Sequence, residues 1–266
     1  MIDPALFAAC GALGLVVGFL AGLLGVGGGL IIVPALIFLL HGQGLAAGME
    51  PQLALGTSLA SILFTSLSSV RAHHRHGAVE WPVVRRIASG IVVGTLAGAM
   101  LATQMPATVL KVFFVVFLFY AATQMWLDFK PTPHRALPGR AGTAVAGGLI
   151  GAVSSWVGIG GGTLSVPFML WHNVPLHRAI ATSAAIGFPI AVAGAAGYVL
   201  GGWHAPGLPS GSLGFVYLPA LAGIVVGSVL TAPLGARTAH RLPVRRLKRV
   251  FALLLFALAL RMLWSF

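Results

Sequence analysis

The sequence LLGVGGGLIIVP, residues 23–34, interrupts a hydrophobic segment with four glycines in five positions, after which the apolar sequence resumes. A near copy, WVGIGGGTLSVP, occupies residues 156–167. A shift of 133 residues aligns the glycines and the following proline in both copies. Any structural explanation of the glycine motif therefore has to apply twice in one chain.

The chain has the composition of an integral membrane protein. Hydrophobic residues make up 58% of it, charged residues 8%, and its mean hydropathy is +0.98, whereas soluble domains are about 25% charged. Apolar segments of the length that crosses a hydrocarbon core of roughly 30 Å recur along the whole chain. The sequence therefore predicts an all-α, multi-pass protein of the cell membrane. We place the apolar segments at residues 5–40, 53–70, 83–101, 107–127, 142–171, 179–200, 214–235 and 247–265.

The second half of the chain repeats the order of features in the first half. Besides the glycine motif, the recurring features are GTS at 56–58 with ATS at 181–183, Gly94 and Gly98 with Gly223 and Gly227, and PATVLKVFF at 106–114 with PVRRLKRVF at 243–251. An internal repeat of this length in a membrane protein is typical of secondary transporters built from two structural repeats. We predict an N-terminal repeat at 1–128, a cytoplasmic linker at 129–141 and a C-terminal repeat at 142–266, which form one membrane domain.

Basic residues indicate how the two repeats are oriented. The loop at 71–86 is basic, whereas its counterpart at 201–212 has no Lys or Arg; the next pair reverses this, with one basic residue at 103–111 and six at 237–249. Because Lys and Arg accumulate in cytoplasmic loops, equivalent loops are predicted to face opposite sides. This inversion requires about five membrane segments per repeat, with each glycine-broken segment returning as a second helix or as a re-entrant hairpin. Fourteen of the sixteen basic residues then lie inside, and both termini are extracytoplasmic.

The glycine motifs have two interpretations. Glycine tolerates positive φ and a close approach of the backbone, and a turn that leads into a helix exposes N–H groups that bind anions together with the helix dipole. Broken helices in two repeats commonly frame a transporter's substrate site. The alternative is that the glycines only allow helices to pack closely.

Hydroxyl side chains are the other polar feature of the apolar segments. The spacing of Thr57, Ser61, Thr65 and Ser68 predicts one helix face, where they either line a polar path or bond to backbone, as is common in membrane helices. Thr57-Ser58 and Thr182-Ser183 are stronger candidates because they recur, near the start of their segments. The predicted substrate-binding residues are Gly27, Gly28, Gly29, Thr57, Ser58, Gly160, Gly161, Gly162, Thr182 and Ser183.

Acidic residues are scarce and occur only at predicted segment ends or in loops, as Asp3, Glu50, Glu80 and Asp128. A lack of carboxylates at depth disfavours cation transport and proton relays. It also disfavours a membrane enzyme, which would need paired acids or spaced metal ligands. The cluster His-His-Arg-His at 73–76 is interpreted as part of a basic cytoplasmic rim rather than as a metal site. We expect no catalytic residue, metal, cofactor or nucleic-acid partner. The expected partners are the transported anion and membrane lipid.

The sequences GLLGVGGGLIIVPAL and LGTSLA, with their second copies GIGGGTLSVPF and IATSAA, resemble the TauE/SafE sulfite exporter family, also called the sulfonate-uptake permease family. The resemblance covers essentially the whole chain. It implies a multi-pass carrier of a sulfur-containing anion such as sulfite, thiosulfate, sulfoacetate or an organosulfonate. Export is favoured, because a monoanion leaving a negative-inside cell gains about 2.3 kcal/mol per 100 mV. Proton- or sodium-coupled uptake and an anion channel remain the alternatives.

Overall fold

The structure is a computed structural model that describes residues 4–24, 28–46, 48–75, 77–128, 137–239 and 244–264. In the first half the helices are α1 (Pro4–Leu24), α2 (Gly29–Gly42), α3 (Glu50–Arg75), α4 (Trp81–Gln104) and α5 (Ala107–Leu127). In the second half they are α6 (Arg140–Val157), α7 (Gly162–Trp171), α8 (Leu176–Gly202), α9 (Leu218–Ala239) and α10 (Val244–Leu263). These ten helices in the described residues agree with the predicted helical membrane fold. Most of the predicted linker, residues 129–136, lies outside the described part of the chain.

Five of the described helices are long and apolar enough to cross a membrane, namely α1, α3, α4, α5 and α8. The helices that follow the glycine motifs are shorter. At about 1.5 Å per residue, the 14 residues of α2 cover about 21 Å and the 10 residues of α7 about 15 Å. Since the hydrocarbon core is roughly 30 Å thick, neither α2 nor α7 spans it alone.

Each glycine motif separates two helices. α6 ends at Val157 and is capped by Gly158, with a φ of +69°, and α7 begins after Gly161, with a φ of +77°. Both angles lie in the left-handed region that favours glycine, so the motif forms a turn where another residue would be strained. In the first copy the carbonyl of Gly28 accepts the N–H groups of Ile31 and Ile32, each at 3.0 Å, and so begins α2. Residues 25–27, which include the predicted site residue Gly27, lie outside the described residues.

Two helix pairs join the halves in parallel. α1 packs along α9, and α4 packs along α6. The residue numbers in contact rise together: Gly14 lies against Ile224, Gly18 against Ser228, Gly90 against Ala144 and Gly98 against Ala152. The glycines that recur in the two halves lie at these helix contacts: Gly94 and Gly98 face α6, while Gly223 and Gly227 face α1. Small residues of this kind let membrane helices approach closely.

Two other pairs join the halves in the antiparallel sense. α3 packs against α8, and α5 against α10. The contacts of the first pair are Gly56 with Tyr198 and Leu59 with Gly194, so that one number rises as the other falls. In the second pair, Nζ of Lys248 near the start of α10 lies 2.7 Å from Oδ1 of Asp128, just after the end of α5. Each of these pairs therefore joins a helix of the first half to an antiparallel helix of the second half.

The loop before α9 contains a short antiparallel hairpin, β1 (Ser212–Leu213) and β2 (Val216–Tyr217). The predicted apolar segment at 214–235 therefore includes a strand, and α9 itself begins at Leu218. Aromatic and β-branched residues favour this extended conformation. Phe215, at the hairpin turn, is buried and donates its N–H to the carbonyl of Tyr198 at 3.1 Å. The hairpin thereby packs against α8 near the end of that helix.

Candidate functional site

The two glycine motifs meet inside the bundle. A Cβ on Gly29, at the start of α2, would overlap the carbonyl oxygen of Gly158 and lie 3.0 Å from its carbonyl carbon. A Cβ on Gly158 would in turn lie 2.8 Å from Cγ2 of Val33 in α2. We call residues 158–162 the second glycine turn. It lies directly against the start of α2, so the structure brings the predicted site residue Gly29 of the first half against the second glycine turn.

Ser58 fixes the second glycine turn from the other half of the chain. Its hydroxyl is fully buried and donates to the carbonyl oxygen of Gly158 at 2.8 Å. That carbonyl belongs to the C-cap residue of α6, where a helix leaves its last acceptors without helical donors. The predicted site residue Ser58 therefore positions the second glycine turn.

Thr57 and Thr182 make equivalent contacts across the two halves. The hydroxyl of Thr57 accepts the N–H of Tyr217, the residue before α9, at 2.9 Å. The hydroxyl of Thr182 accepts the N–H of Glu80, the residue before α4, also at 2.9 Å. Both threonines are fully buried. Each one binds the start of a helix in the opposite half, which accounts for the recurrence of this threonine in the sequence.

Ser183 pairs with a serine that follows the second glycine turn. The hydroxyl of Ser165 in α7 donates to the hydroxyl of Ser183 in α8 at 2.9 Å, and both side chains are buried. A single hydrogen bond between two hydroxyls uses only one of their two protons. In the part of the chain that the structure describes, this pair thus keeps one proton to donate.

The hydroxyls along α3 bond mainly to their own helix. Thr57 donates to the carbonyl of Leu53 at 2.7 Å and Ser61 to that of Ser58 at 2.7 Å. Thr65 lies 3.2 Å from the carbonyl oxygen of Ile62, while the side chain of Ser68 is exposed. Of the two predicted roles for this row of hydroxyls, a polar path or bonds to backbone, these contacts match the bonds to backbone. Such bonds are common for Ser and Thr in membrane helices.

The second glycine turn presents backbone donors at the start of α7. The N–H groups of Leu164 and Ser165 both bond to the carbonyl of Gly161, at 3.0 and 2.8 Å. The four preceding N–H groups, of residues 160–163, have no recorded acceptor within the described residues. Unpaired N–H groups and the positive end of the helix dipole together form the elements of an anion site.

Two buried hydroxyls beside this turn were not among the predicted site residues. Ser154 in α6 and Thr163 in α7 are 0% and 5% exposed, and among the described residues their hydroxyls have no hydrogen-bond partner. Thr163 stands in the second copy where the first copy has Leu30. This difference between the copies was the signal in the sequence, whereas the predicted hydroxyls were those that recur.

The described acidic residues all lie at helix ends, as predicted. Glu50 begins α3, where its carboxylate accepts the N–H of Gly48 at 3.0 Å and lies 3.3 Å from Nδ1 of His41. Glu80 precedes α4 and pairs with Arg178, and Asp128 follows α5. The described residues contain no cluster of three His, Cys, Asp or Glu side chains suited to a metal ion.

A bundle of apolar helices with glycine-rich, non-helical backbone at its centre is the architecture of a membrane transporter. The profile of the Sulfite exporter TauE/SafE family matches residues 10–262. The chain therefore belongs to the TauE/SafE family, and the resemblance seen in the glycine motifs is confirmed.

Relatives of known sequence are also membrane transporters by name. A "Probable membrane transporter protein" of Haemophilus influenzae is 37% identical over 254 residues, which cover 95% of this chain and 96% of that protein. YunE of Bacillus subtilis, with the same description, is 28% identical over 276 residues, covering 95% and 96%. MJ0441 of Methanocaldococcus jannaschii, also so described, is 24% identical over 256 residues, covering 94% and 92%. No solved structure was found to match the chain.

Proposed function

We propose that this transporter is a secondary carrier that moves a small sulfur-containing anion out of the cell. The observation that carries the proposal is made at the second glycine turn and the first residues of α7. The N–H groups of residues 160–163 have no acceptor among the described residues and lie where the two halves meet. Neutral backbone donors at a helix start bind anions without a basic side chain. A buried site of this kind can release its ligand to either side when the two halves move.

The carrier has two inverted repeats in this proposal. The counterpart pairs α3 with α8 and α5 with α10 are antiparallel, as expected for halves related by a two-fold axis that lies in the membrane plane. α1 runs parallel to α9, so both end on the side of the basic segment 237–249. Because that segment is cytoplasmic by the distribution of Lys and Arg, the N-terminus lies outside, and the inverted second half places the C-terminus outside as well.

The predicted site residues take two roles in the proposal. The glycines of both motifs supply close-packed backbone and, in the second turn, donors to the substrate. Ser58, Thr57 and Thr182 hold the turn and the helix starts around the site through the bonds described above. The hydroxyl of Ser183 accepts the hydrogen bond from Ser165. Its own proton has no acceptor among the described residues and is available to an anion. Gly27 is assigned to the first turn from the sequence alone.

The substrate class and the direction follow from chemistry and from the family. The family name denotes sulfite export, and sulfite, thiosulfate, sulfoacetate and organosulfonates all present small anionic oxygens that accept hydrogen bonds. Outward movement of a monoanion is driven by the membrane potential at about 2.3 kcal/mol per 100 mV. The described carboxylates lie at helix ends, where they are poorly placed to carry a coupling ion through the bundle.

Flux in proteoliposomes tests the proposal. Purified protein is reconstituted and the movement of labelled sulfite and thiosulfate is measured under an imposed potential, a proton gradient and a sodium gradient in turn. We expect flux that follows the potential, and exchange of labelled for unlabelled substrate in counterflow. Accumulation that follows a sodium or proton gradient at zero potential would replace export by coupled uptake. Large unitary currents would make the protein a channel, and flux equal to that of empty vesicles would reject these substrates.

A further inference from the structure

The hydroxyls of Ser154 and Thr163 are buried, and no hydrogen bond within the described residues offsets the loss of their bonds to water. A polar group removed from water without a hydrogen bond destabilises a protein, so native proteins rarely retain one without a reason. Both groups flank the second glycine turn, one at the end of α6 and one at the start of α7. Their location suggests that a ligand completes their hydrogen bonds.

Ser154 is directed at the start of α7. A Cβ on Gly161, the residue that precedes this helix, would lie 3.5 Å from the Ser154 hydroxyl oxygen and 2.5 Å from Cδ1 of Ile190. The absence of a side chain at Gly161, whose φ is +77°, thus leaves the hydroxyl next to backbone N–H groups that have no acceptor among the described residues. Thr163 is the second residue of α7 and carries one of those N–H groups itself.

The first half has no equivalent pair of hydroxyls. At the same shift of 133 residues that aligns the glycine motifs, Ala21 takes the place of Ser154 and Leu30 the place of Thr163. The two halves therefore share a backbone motif but differ in the side chains that surround it. At these two positions, hydroxyl side chains occur only in the second half.

We propose, on the basis of the function proposed above, that Ser154 and Thr163 bind the transported oxyanion. Both hydroxyls donate hydrogen bonds to its oxygens alongside the N–H groups of residues 160–163, while the first motif supplies packing surface. The binding site is thus one-sided within a two-fold protein. Because hydroxyl and amide donors are neutral, the anion enters without displacing a counter-charge from the site.

The test compares these two hydroxyls with buried hydroxyls that already have partners. Ser154→Ala and Thr163→Val are the test variants. Ser155→Ala and Thr143→Val are the controls, since Ser155 donates to the carbonyl of Ala152 at 2.7 Å and Thr143 to that of Pro138 at 2.9 Å. Binding of sulfite and of thiosulfate to the full-length protein in detergent is measured by calorimetry, and counterflow is measured in proteoliposomes.

Each test variant is expected to raise Kd about tenfold or more, as for the loss of a hydrogen bond to a charged ligand. Neither is expected to lower the melting temperature without ligand, because no internal hydrogen bond is removed. The controls are expected to keep the affinity, while Thr143→Val lowers the melting temperature.

Three outcomes would overturn the assignment in different ways. If the wild type binds and exchanges a sulfur anion and both test variants match the controls in Kd, the two hydroxyls are not part of the site, although the proposed function stands. If the test variants lose stability in the absence of ligand as Thr143→Val does, the hydroxyls are structural. If the wild type neither binds nor moves any of these anions, the proposed function fails, and the assignment fails with it.

Discussion

Replacing Gly29 with alanine is expected to separate the two glycine motifs and to stop most transport. The new Cβ would overlap the carbonyl oxygen of Gly158 and lie 3.0 Å from its carbonyl carbon and 3.1 Å from Cα of Ile159, whereas ordinary contact begins at 3.4 Å. These are backbone atoms, so no rotation of a side chain relieves the overlap. The second glycine turn has to move as a unit away from α2.

The size of the effect combines two losses. Overpacking of a filled interior costs about 1–3 kcal/mol. Movement of the Gly158 carbonyl also breaks the 2.8 Å bond from Ser58, and a buried hydrogen bond contributes about 1 kcal/mol. We therefore expect Gly29→Ala to lower the free energy of unfolding by about 2–4 kcal/mol.

The measurements are the melting temperature in detergent and the counterflow rate in proteoliposomes. Gly42→Ala is the matched control, because Gly42 ends the same helix and a Cβ there would meet no atom within 4 Å. A Gly29→Ala protein that melts and exchanges substrate like the Gly42→Ala control would refute the contact between the two motifs and the site built on it.

Two further predictions concern the threonine contacts and the orientation in the membrane. Thr182→Val should lower stability by about 1–3 kcal/mol, because the N–H of Glu80 loses its acceptor. The control is Thr103→Val, at a half-buried position where the hydroxyl bonds within its own helix, and equal melting temperatures would contradict the assigned contact. In a background without the native cysteine, His204→Cys should react with an impermeant maleimide added outside, and His74→Cys only after permeabilisation. Both histidines are exposed, so the reverse pattern would invert the proposed topology.

The helix breaks were predictable because their cause is local. Four glycines in five positions cannot continue a helix without cost, and the structure places a turn with positive φ at Gly158 and Gly161. The recurrence of Thr57 and Thr182 was also visible in the sequence. Their partners were not, because Tyr217 is 160 residues from Thr57 and Glu80 is 102 residues from Thr182.

The part of the candidate site that the sequence missed is the part that does not recur. Ser154 and Thr163 align with Ala21 and Leu30 in the first half, so the repetition of the sequence does not point to them. Serine and threonine in a membrane helix usually bond to backbone within the helix, and several hydroxyls of α3 do so. Only the three-dimensional structure separates those hydroxyls from Ser154 and Thr163, whose hydroxyls have no hydrogen-bond partner among the described residues.

Because helices of the first half pack against helices of the second half, the order of synthesis determines when these contacts can form. The glycine face of α1 packs against α9, which begins about 200 residues after α1 ends. At a translation rate of about 5–20 residues per second, α1 waits about 10–40 s for its partner. During that interval its close-packing face is open to lipid or to the wrong neighbour. A ribosome that stalls within the second half therefore leaves a first half that cannot assemble, and quality-control proteases are expected to remove such truncated chains rapidly.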